Sequence, residues 1–389
     1  MSPDLPFPKA EYGDRARRVR DEMAQRGIDV LFVMSPPNIC YLTGFESVWY
    51  PPRAPLGVVL TREDERLVFL DYERHETLVR RTALFDDAVF YRYETALDSI
   101  VQAFRERGWS KAAIGIEWWT QSPGAPLVAE TARLLAEAGG RIVGGDWIVD
   151  RVRAIKSPAE LECVRRAAEI VDAAFAELLE GMEPGQTELQ AAARLDAAMA
   201  DRGGESAAIR TMVSSGPDVW CRTHSAPSRR RLEVGDLVYV DACGVVNRYH
   251  ADLCRTVALG RDHREAREIL EQTARSVEEV QRAVRPGDPL DVAQRAAEEY
   301  VYARFPREQV WWVGGYALGI ALPPSWVGHT YLSNDAFEAF TWEPGYVTNY
   351  ENILFDRERG FTASYMETLV MTEAGIETLS RHPRELVVV

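Results

Sequence analysis

Four acidic residues in the second half of this 389-residue chain are spaced for shared chemistry. Asp241 ends the apolar run Leu237-Val238-Tyr239-Val240, and Asp252 follows a turn signal at Val246-Asn247-Arg248. A hairpin there would set the two carboxylates opposite each other. Glu351 lies in the apolar-aromatic run 347–353 and Glu367 in the run 365–370. A carboxylate in a buried strand needs a cation or several donors. Four of them could bridge two divalent ions and make hydroxide at neutral pH, a chemistry that usually also recruits a histidine. The plainer alternatives are a salt bridge from Asp252 to Arg255 and solvent-facing glutamates. His224, on a loop between the Ser215-Gly216-Pro217-Asp218 turn and Gly235-Asp236, has the pKa to hand a proton to a leaving nitrogen, or is a loop histidine without a role. Cys243 and Cys254 lie near the acids, but the five cysteines form no C-x-x-C pair and read as reduced and structural, with a nucleophilic role as the alternative.

The elements that must position these residues fall into two parts. Up to about residue 152, helical and strand patterns alternate: a helix over 12–26, strands over 30–34, 56–60, 67–70 and 113–116, and helices over 97–107 and 127–138. That alternation predicts a small α/β domain. The segment 51–55, after Trp49 and Tyr50, breaks the pattern as an ordered loop or a lid. From residue 153 the pattern changes. Ser157, Pro158 and Glu160 spell a helix start with a capping box, and Thr187 with Gln190 caps a second helix. A helix over 264–284, an Arg285-Pro-Gly-Asp288 turn and a helix over 290–304 repeat the pair, as the Pro184-Gly185 turn is echoed by Pro286-Gly287. Strands over 209–215 and 237–242 follow the first copy, and strands over 346–350 and 362–371 follow the second. The predicted class is α+β, with domains at 1–152 and 153–389.

Composition bounds the partners. A formal charge of -15 and a pI near 5.0 argue against nucleic acid, whose phosphates need clustered Lys and Arg. Arg229-Arg230-Arg231 is short and reads as a solvated loop. No apolar run approaches membrane-spanning length, and the first ten residues lack a signal-peptide pattern, so a cytoplasmic protein is expected.

The segments His224-Ser-Ala-Pro227, Leu232-Glu-Val-Gly235-Asp236 through Asp241, and Tyr249-His-Ala-Asp252 with Arg255-Thr256 resemble the pita-bread superfamily of creatinases, prolidases and aminopeptidases. Ile155-Lys156-Ser157-Pro158 and the run 372–377 fit as well, so the resemblance spans most of the chain. It implies a creatinase-like N-terminal domain before a pita-bread domain of duplicated helix-helix-strand units, and a homodimer in which the N-terminal domain covers the partner's site. It implies Asp241, Asp252, Glu351 and Glu367 as metal ligands with a histidine, for a divalent ion (Mn, Zn, Co or Fe), and His224 as proton shuttle. Where metal peptidases of this kind carry two histidines, this chain has Tyr316 and Pro323, so the metal shell is incomplete and Xaa-Pro cleavage is put in question; His329 lies nearby in sequence. Gly315-Tyr316, Gly319-Ile320, Pro323-Pro324-x-Trp326 and His329-Thr330 are similar to the ectoine hydrolase branch, although Asp252 and Glu351 depart from it.

The function expected is hydrolysis of a non-peptide C–N bond in a small zwitterionic nitrogenous substrate. His224 and Asp241 act on protons and water, and Tyr316 donates to developing negative charge. Glu367 is counted with the catalytic group. Trp49, Tyr50, Arg53 and His329 are substrate-binding candidates, because aromatics suit a cationic head and arginine suits a carboxylate. The alternatives are a metal-dependent Xaa-Pro peptidase, a carbon–sulfur lyase and a catalytically inactive pita-bread binding module.

Overall fold

The computed structural model describes residues 3–51, 53–324, 326 and 340–389. The chain divides into two compact units, Met1–Arg153 and Ala154–Val389. No helix among the described residues is long and apolar enough to cross a membrane.

The first unit runs α1 (Lys9–Gln25), β1 (Val30–Val33), α2 (Pro36–Thr43), β2 (Gly57–Thr61), β3 (Leu67–Tyr72), α3 (Glu76–Thr82), β4 (Asp87–Tyr91), α4 (Ala96–Glu106), β5 (Ala113–Ile116), α5 (Ala125–Glu137), β6 (Arg141–Gly144) and α6 (Ile148–Ala154). Its six strands order as β4-β3-β2-β1-β5-β6. The pairs flanking β2 are antiparallel and the other three parallel. The hydrophobic runs read from sequence are the central strands; β4, β6, α2, α3 and α6 went unread. β4 and β6 are short, half-exposed edge strands without the alternation or full burial that marks the central strands.

The second unit runs α7 (Pro158–Glu180), α8 (Glu188–Asp201), β7 (Met212–Ser215), β8 (Leu237–Val246), β9 (Tyr249–Ala258), α9 (Arg264–Thr273), α10 (Ser276–Ala283), α11 (Asp291–Tyr302), β10 (Val310–Gly314), β11 (Val347–Asp356), β12 (Phe361–Thr372), β13 (Gly375–Thr378) and β14 (Val387–Val388). Both capping boxes form, Ser157 with Glu160 and Thr187 with Gln190. The helix expected over 264–284 is two helices. Thr273 Oγ1 bonds back to the Ile269 and Leu270 carbonyls, and Ser276 Oγ donates to the Thr273 carbonyl, so side chains compete with the helical ladder at the break. Buried Ser276 then receives Tyr350 Oη at 2.9 Å and Asn352 Nδ2 at 2.8 Å, which ties the break to β11.

One curved sheet, ordered β10-β11-β12-β9-β8-β7, carries β13 on β12 and β14 on β9. Two apolar clusters cover one face, the first joining α7 and α8 to β8 and β9, the second joining α9, α10 and α11 to β11 and β12. Gly244 lets α7 approach, since a Cβ there would sit 2.0 Å from the Ala167 carbonyl oxygen. The opposite face carries the site.

Candidate active site

The hairpin between β8 and β9 fixes the register of the floor. Asn247 and Arg248 take φ of 49° and 67° in a two-residue turn, as a type I′ connection requires. Val246 therefore pairs with Tyr249, Cys243 with Asp252 and Asp241 with Cys254. The two aspartates are thus diagonal neighbours on one face, not directly opposite as expected, because a two-residue turn offsets them by one pair. Cross-strand partners share a face. One row across the sheet reads Met212, Asp241, Cys254, Met366, Glu351, Gly314. The row beside it holds Cys243, Asp252, Thr368 and Asn349, with Thr368 Oγ1 accepting the Asp252 N–H at 2.7 Å.

These rows floor a cavity of about 770 Å³, whose lining includes His224, Asp241, Asp252, Glu351, Tyr316, Arg210, Trp311, Trp312 and Trp326. Asp241, Asp252 and Glu351 are 4%, 3% and 7% exposed, so three acids converge with little water to screen them. Burial, and then the Asp252 charge, push the Asp241 carboxyl well above its ordinary range; the two carboxyls are hydrogen-bonded to each other and Tyr239 Oη donates to Asp241 at 2.8 Å. Burial and Asp252 raise Glu351 to about 7, against donors on Tyr316 and Asn349. Asp252 is raised by burial, opposed by donors on Asn349 and Cys243. Burial first, and then Glu351, lift the Tyr316 hydroxyl far above its ordinary value, so it stays a donor. Burial and the same acids raise the Cys243 and Cys254 thiols. Neither is a ready nucleophile; Cys243 Sγ instead donates to Asp252 at 3.3 Å.

Asn349 is held in one orientation, because its Oδ1 accepts the Tyr316 N–H at 3.3 Å. Its Nδ2 therefore faces the acids, donating to Asp252 at 3.1 Å and to Glu351 at 2.6 Å. His224 lies at the rim with its ring edge-on to Trp311, centroids 4.6 Å apart, and partial burial lowers its imidazole from the ordinary value. It is the neutral base at pH 7. Trp326 donates its Nε1–H to Tyr316 Oη at 3.2 Å.

The structure brings together Asp241, Asp252, Glu351, Tyr316 and His224, and leaves Glu367 apart. Glu367 pairs with Tyr350, one position along from the Glu351 and Met366 pair, so the pleat turns it to the helix-covered face. There Arg255, the alternative salt-bridge partner for Asp252, donates to it at 2.7 Å and Arg384 at 3.1 Å. Trp49, Tyr50 and Arg53 belong to the N-terminal unit. Trp49 packs edge-on to His75 at 5.8 Å, and Tyr50 Oη accepts the Ser47 N–H at 3.3 Å. His329 lies outside the described residues.

Sequence reasoning missed Arg210, the Trp311-Trp312 pair and Asn349. The signal present was the double tryptophan in a short strand: a register shift between Val310 and Trp312 accompanies both rings facing one cavity. Arg210 carried no signal. Its guanidinium makes no ion pair among the described residues, and it lines the same cavity as the acids.

Residues 162–373 match the profile of metallopeptidase family M24, and residues 15–155 match the creatinase/prolidase N-terminal domain. The chain belongs to metallopeptidase family M24, a family of hydrolases, and has its pita-bread fold. It is similar to the ectoine hydrolase of Halomonas elongata, 28% identical with 99% of this chain and 98% of that protein covered. The Xaa-Pro dipeptidase of Pyrococcus furiosus is 24% identical, over 96% and 99%. Among solved structures, a prolidase from Thermococcus sibiricus superposes with a TM-score of 0.84 at 19% identity, covering 97% and 99% of the two chains. Zinc-substituted aminopeptidase P from E. coli gives 0.74 at 19%, covering 96% and 95%.

The family description and the zinc-substituted neighbour both speak of divalent metal, and this chain's donor set does not fit a two-metal centre. Tyr316 stands where a histidine ligand is expected, and Glu367 is committed to two arginines. The Asn349 amide turns its nitrogen, which cannot ligate a metal, toward both Asp252 and Glu351. Among the described residues, no three His, Cys, Asp or Glu side chains are arranged to hold a metal ion.

Proposed function

We propose that this M24 chain hydrolyses a non-peptide C–N bond in a small zwitterionic substrate with a delocalised cationic nitrogen head, an amidine or guanidine. One observation carries the reading: three buried acids floor a cavity walled by Trp311, Trp312 and Trp326, with Arg210, which makes no ion pair among the described residues, in the same lining. A cation gains from buried carboxylates and from tryptophan faces, and a guanidinium binds a carboxylate in bidentate geometry. Asp252 and Glu351 grip the head. Asp241 and Asp252 share one proton, so the ionised member takes a proton from the attacking water as its oxygen bonds to the amidine carbon. Tyr316, fully protonated, keeps Glu351 oriented, and neutral His224 accepts the proton left on the added hydroxyl and passes it to the leaving nitrogen as the carbonyl forms and the C–N bond breaks. Family relationship alone supports a metal-dependent Xaa-Pro peptidase equally well; the donor set above is what favours the first reading. In a homodimer, Trp49, Tyr50 and Arg53 would act from the partner, which a mass measurement in solution tests.

The test is incubation of protein purified without chelator with ectoine, creatine and Ala-Pro, with and without EDTA, products read by NMR. EDTA-resistant cleavage of ectoine or creatine is expected. Ala-Pro turnover that EDTA abolishes and Mn²⁺ restores would overturn the proposal.

A further inference from the structure

The loop that carries His224 has no secondary structure of its own beyond one short 3-10 turn at Val219–Cys221, yet it must hold an imidazole at the cavity rim. A single carboxylate gathers it. Glu188, the first residue of α8, has a side chain 0% exposed. Its Oε1 accepts the Ser215 N–H and hydroxyl, each at 2.8 Å, at the start of the loop. Its Oε2 accepts the Ser228 N–H at 2.9 Å and hydroxyl at 2.6 Å at the loop's end. Arg222, two residues before His224, closes on both oxygens at 2.9 and 2.8 Å. Six donors from the start, middle and end of one loop thus meet at one buried anion. Arg230 braces the assembly from outside, donating to Ser215 Oγ at 2.8 Å and to Asp236.

We infer that Glu188 is the positioning residue for His224: it fixes the loop so that the imidazole stands against Trp311 at the cavity rim, without itself lining the cavity. The inference rests on the reading of His224 as proton carrier. Nothing in the His224 side chain holds it there, since its ring makes no hydrogen bond among the described residues and its packing partner is Trp311. The placement therefore depends on the backbone, and the backbone depends on Glu188. A buried carboxylate with six donors tolerates neither loss of charge nor a shorter side chain, because Arg222 would be left without its anion. The burial that lowers the His224 imidazole belongs to the same placement.

The contact with Trp311 supplies a readout independent of activity. A ring 4.6 Å away in edge-on geometry shifts the His224 imidazole signal, which the loss of one peak in His224→Ala assigns and Trp311→Ala calibrates. In folded Glu188→Gln, the His224 signal is expected to move toward its position in Trp311→Ala. On whichever of creatine, ectoine and Ala-Pro is turned over, kcat should fall roughly tenfold to a hundredfold with KM within about twofold, the signature of a misplaced group. If Glu188→Gln does not fold, Arg222→Met gives the same test, because it leaves the four serine donors in place. A folded variant with an unchanged His224 signal overturns the inference, as does a wild-type kcat in a variant of an enzyme that His224→Ala inactivates. Wild-type hydrolysis by His224→Ala would instead sink the catalytic reading, while the NMR signal still decides the positioning.

Discussion

Replacing Glu367 by alanine should cost stability and leave metal content unchanged. The side chain is 1% exposed, as is Arg255, whose Nη2 donates to it at 2.7 Å. Arg255 otherwise reaches only carbonyl oxygens, those of Cys254, Met366, His382 and Pro383. Deleting the carboxylate leaves a guanidinium buried among dipoles, with Arg384, one-quarter exposed, as a second cation nearby. Breaking one side of a buried ion pair costs about 3–5 kcal/mol. For a unit of this size each kcal/mol moves the midpoint by about 2–4 °C, so a drop of roughly 10 °C is expected. Glu367→Gln keeps an acceptor for Arg255 and should lose about half as much. Thermal unfolding with and without EDTA, together with elemental analysis of each protein, separates the ion-pair role from a ligand role. The reasoning is refuted if Glu367→Ala unfolds within about 2 °C of the parent in EDTA while losing metal that the parent retains.

Three further outcomes follow from other parts of the same sheet. Burial acts to raise the Glu188 carboxyl, but its donors on Arg222, Ser228 and Ser215 hold it down from 4.5 to about 2. Its contribution to stability is therefore complete above pH 4.5 and lost as pH falls toward 2, so the gap in denaturant midpoint between the parent and Glu188→Gln should narrow from pH 5 to pH 3. Gly244→Ala would force a methyl to within 2.0 Å of the Ala167 carbonyl oxygen, and urea unfolding should show a loss of about 3 kcal/mol. Trp312→Ala should weaken calorimetric binding of creatine roughly tenfold, the loss of one desolvated cation–π face.

The chain declared its catalytic unit in places where the code is local. Ser157 with Glu160 and Thr187 with Gln190 are capping boxes because a hydroxyl and a carbonyl oxygen three residues apart reach each other's backbone N–H in any helix start. The apolar runs ending in Asp241 and containing Glu351 are strands for the same kind of reason. What the chain did not declare depends on register. Whether Asp252 faces Asp241 or Cys243 turns on a one-residue difference in where the two-residue turn falls, and whether Glu367 meets the cavity or Arg255 turns on the parity of a pairing set by long-range contacts. Arg210 was illegible because its meaning lies in lining the cavity of the acids with no ion pair among the described residues, which only the folded surroundings define.

That parity leaves three of the four acids, Asp241, Asp252 and Glu351, on the cavity face. A carboxylate cluster on a buried face must be neutralised by cations, by protons or by donors. Here donors contribute: Tyr239 donates to Asp241, Asn349 to Asp252 and Glu351, and Cys243 to Asp252. On the function proposed above, a substrate cation would displace these donors and bring its charge to the place where the leaving nitrogen must be bound. On that reading Tyr316 makes the exchange possible, because a tyrosine kept protonated by burial, and then by its acidic neighbours, stays a donor beside Glu351.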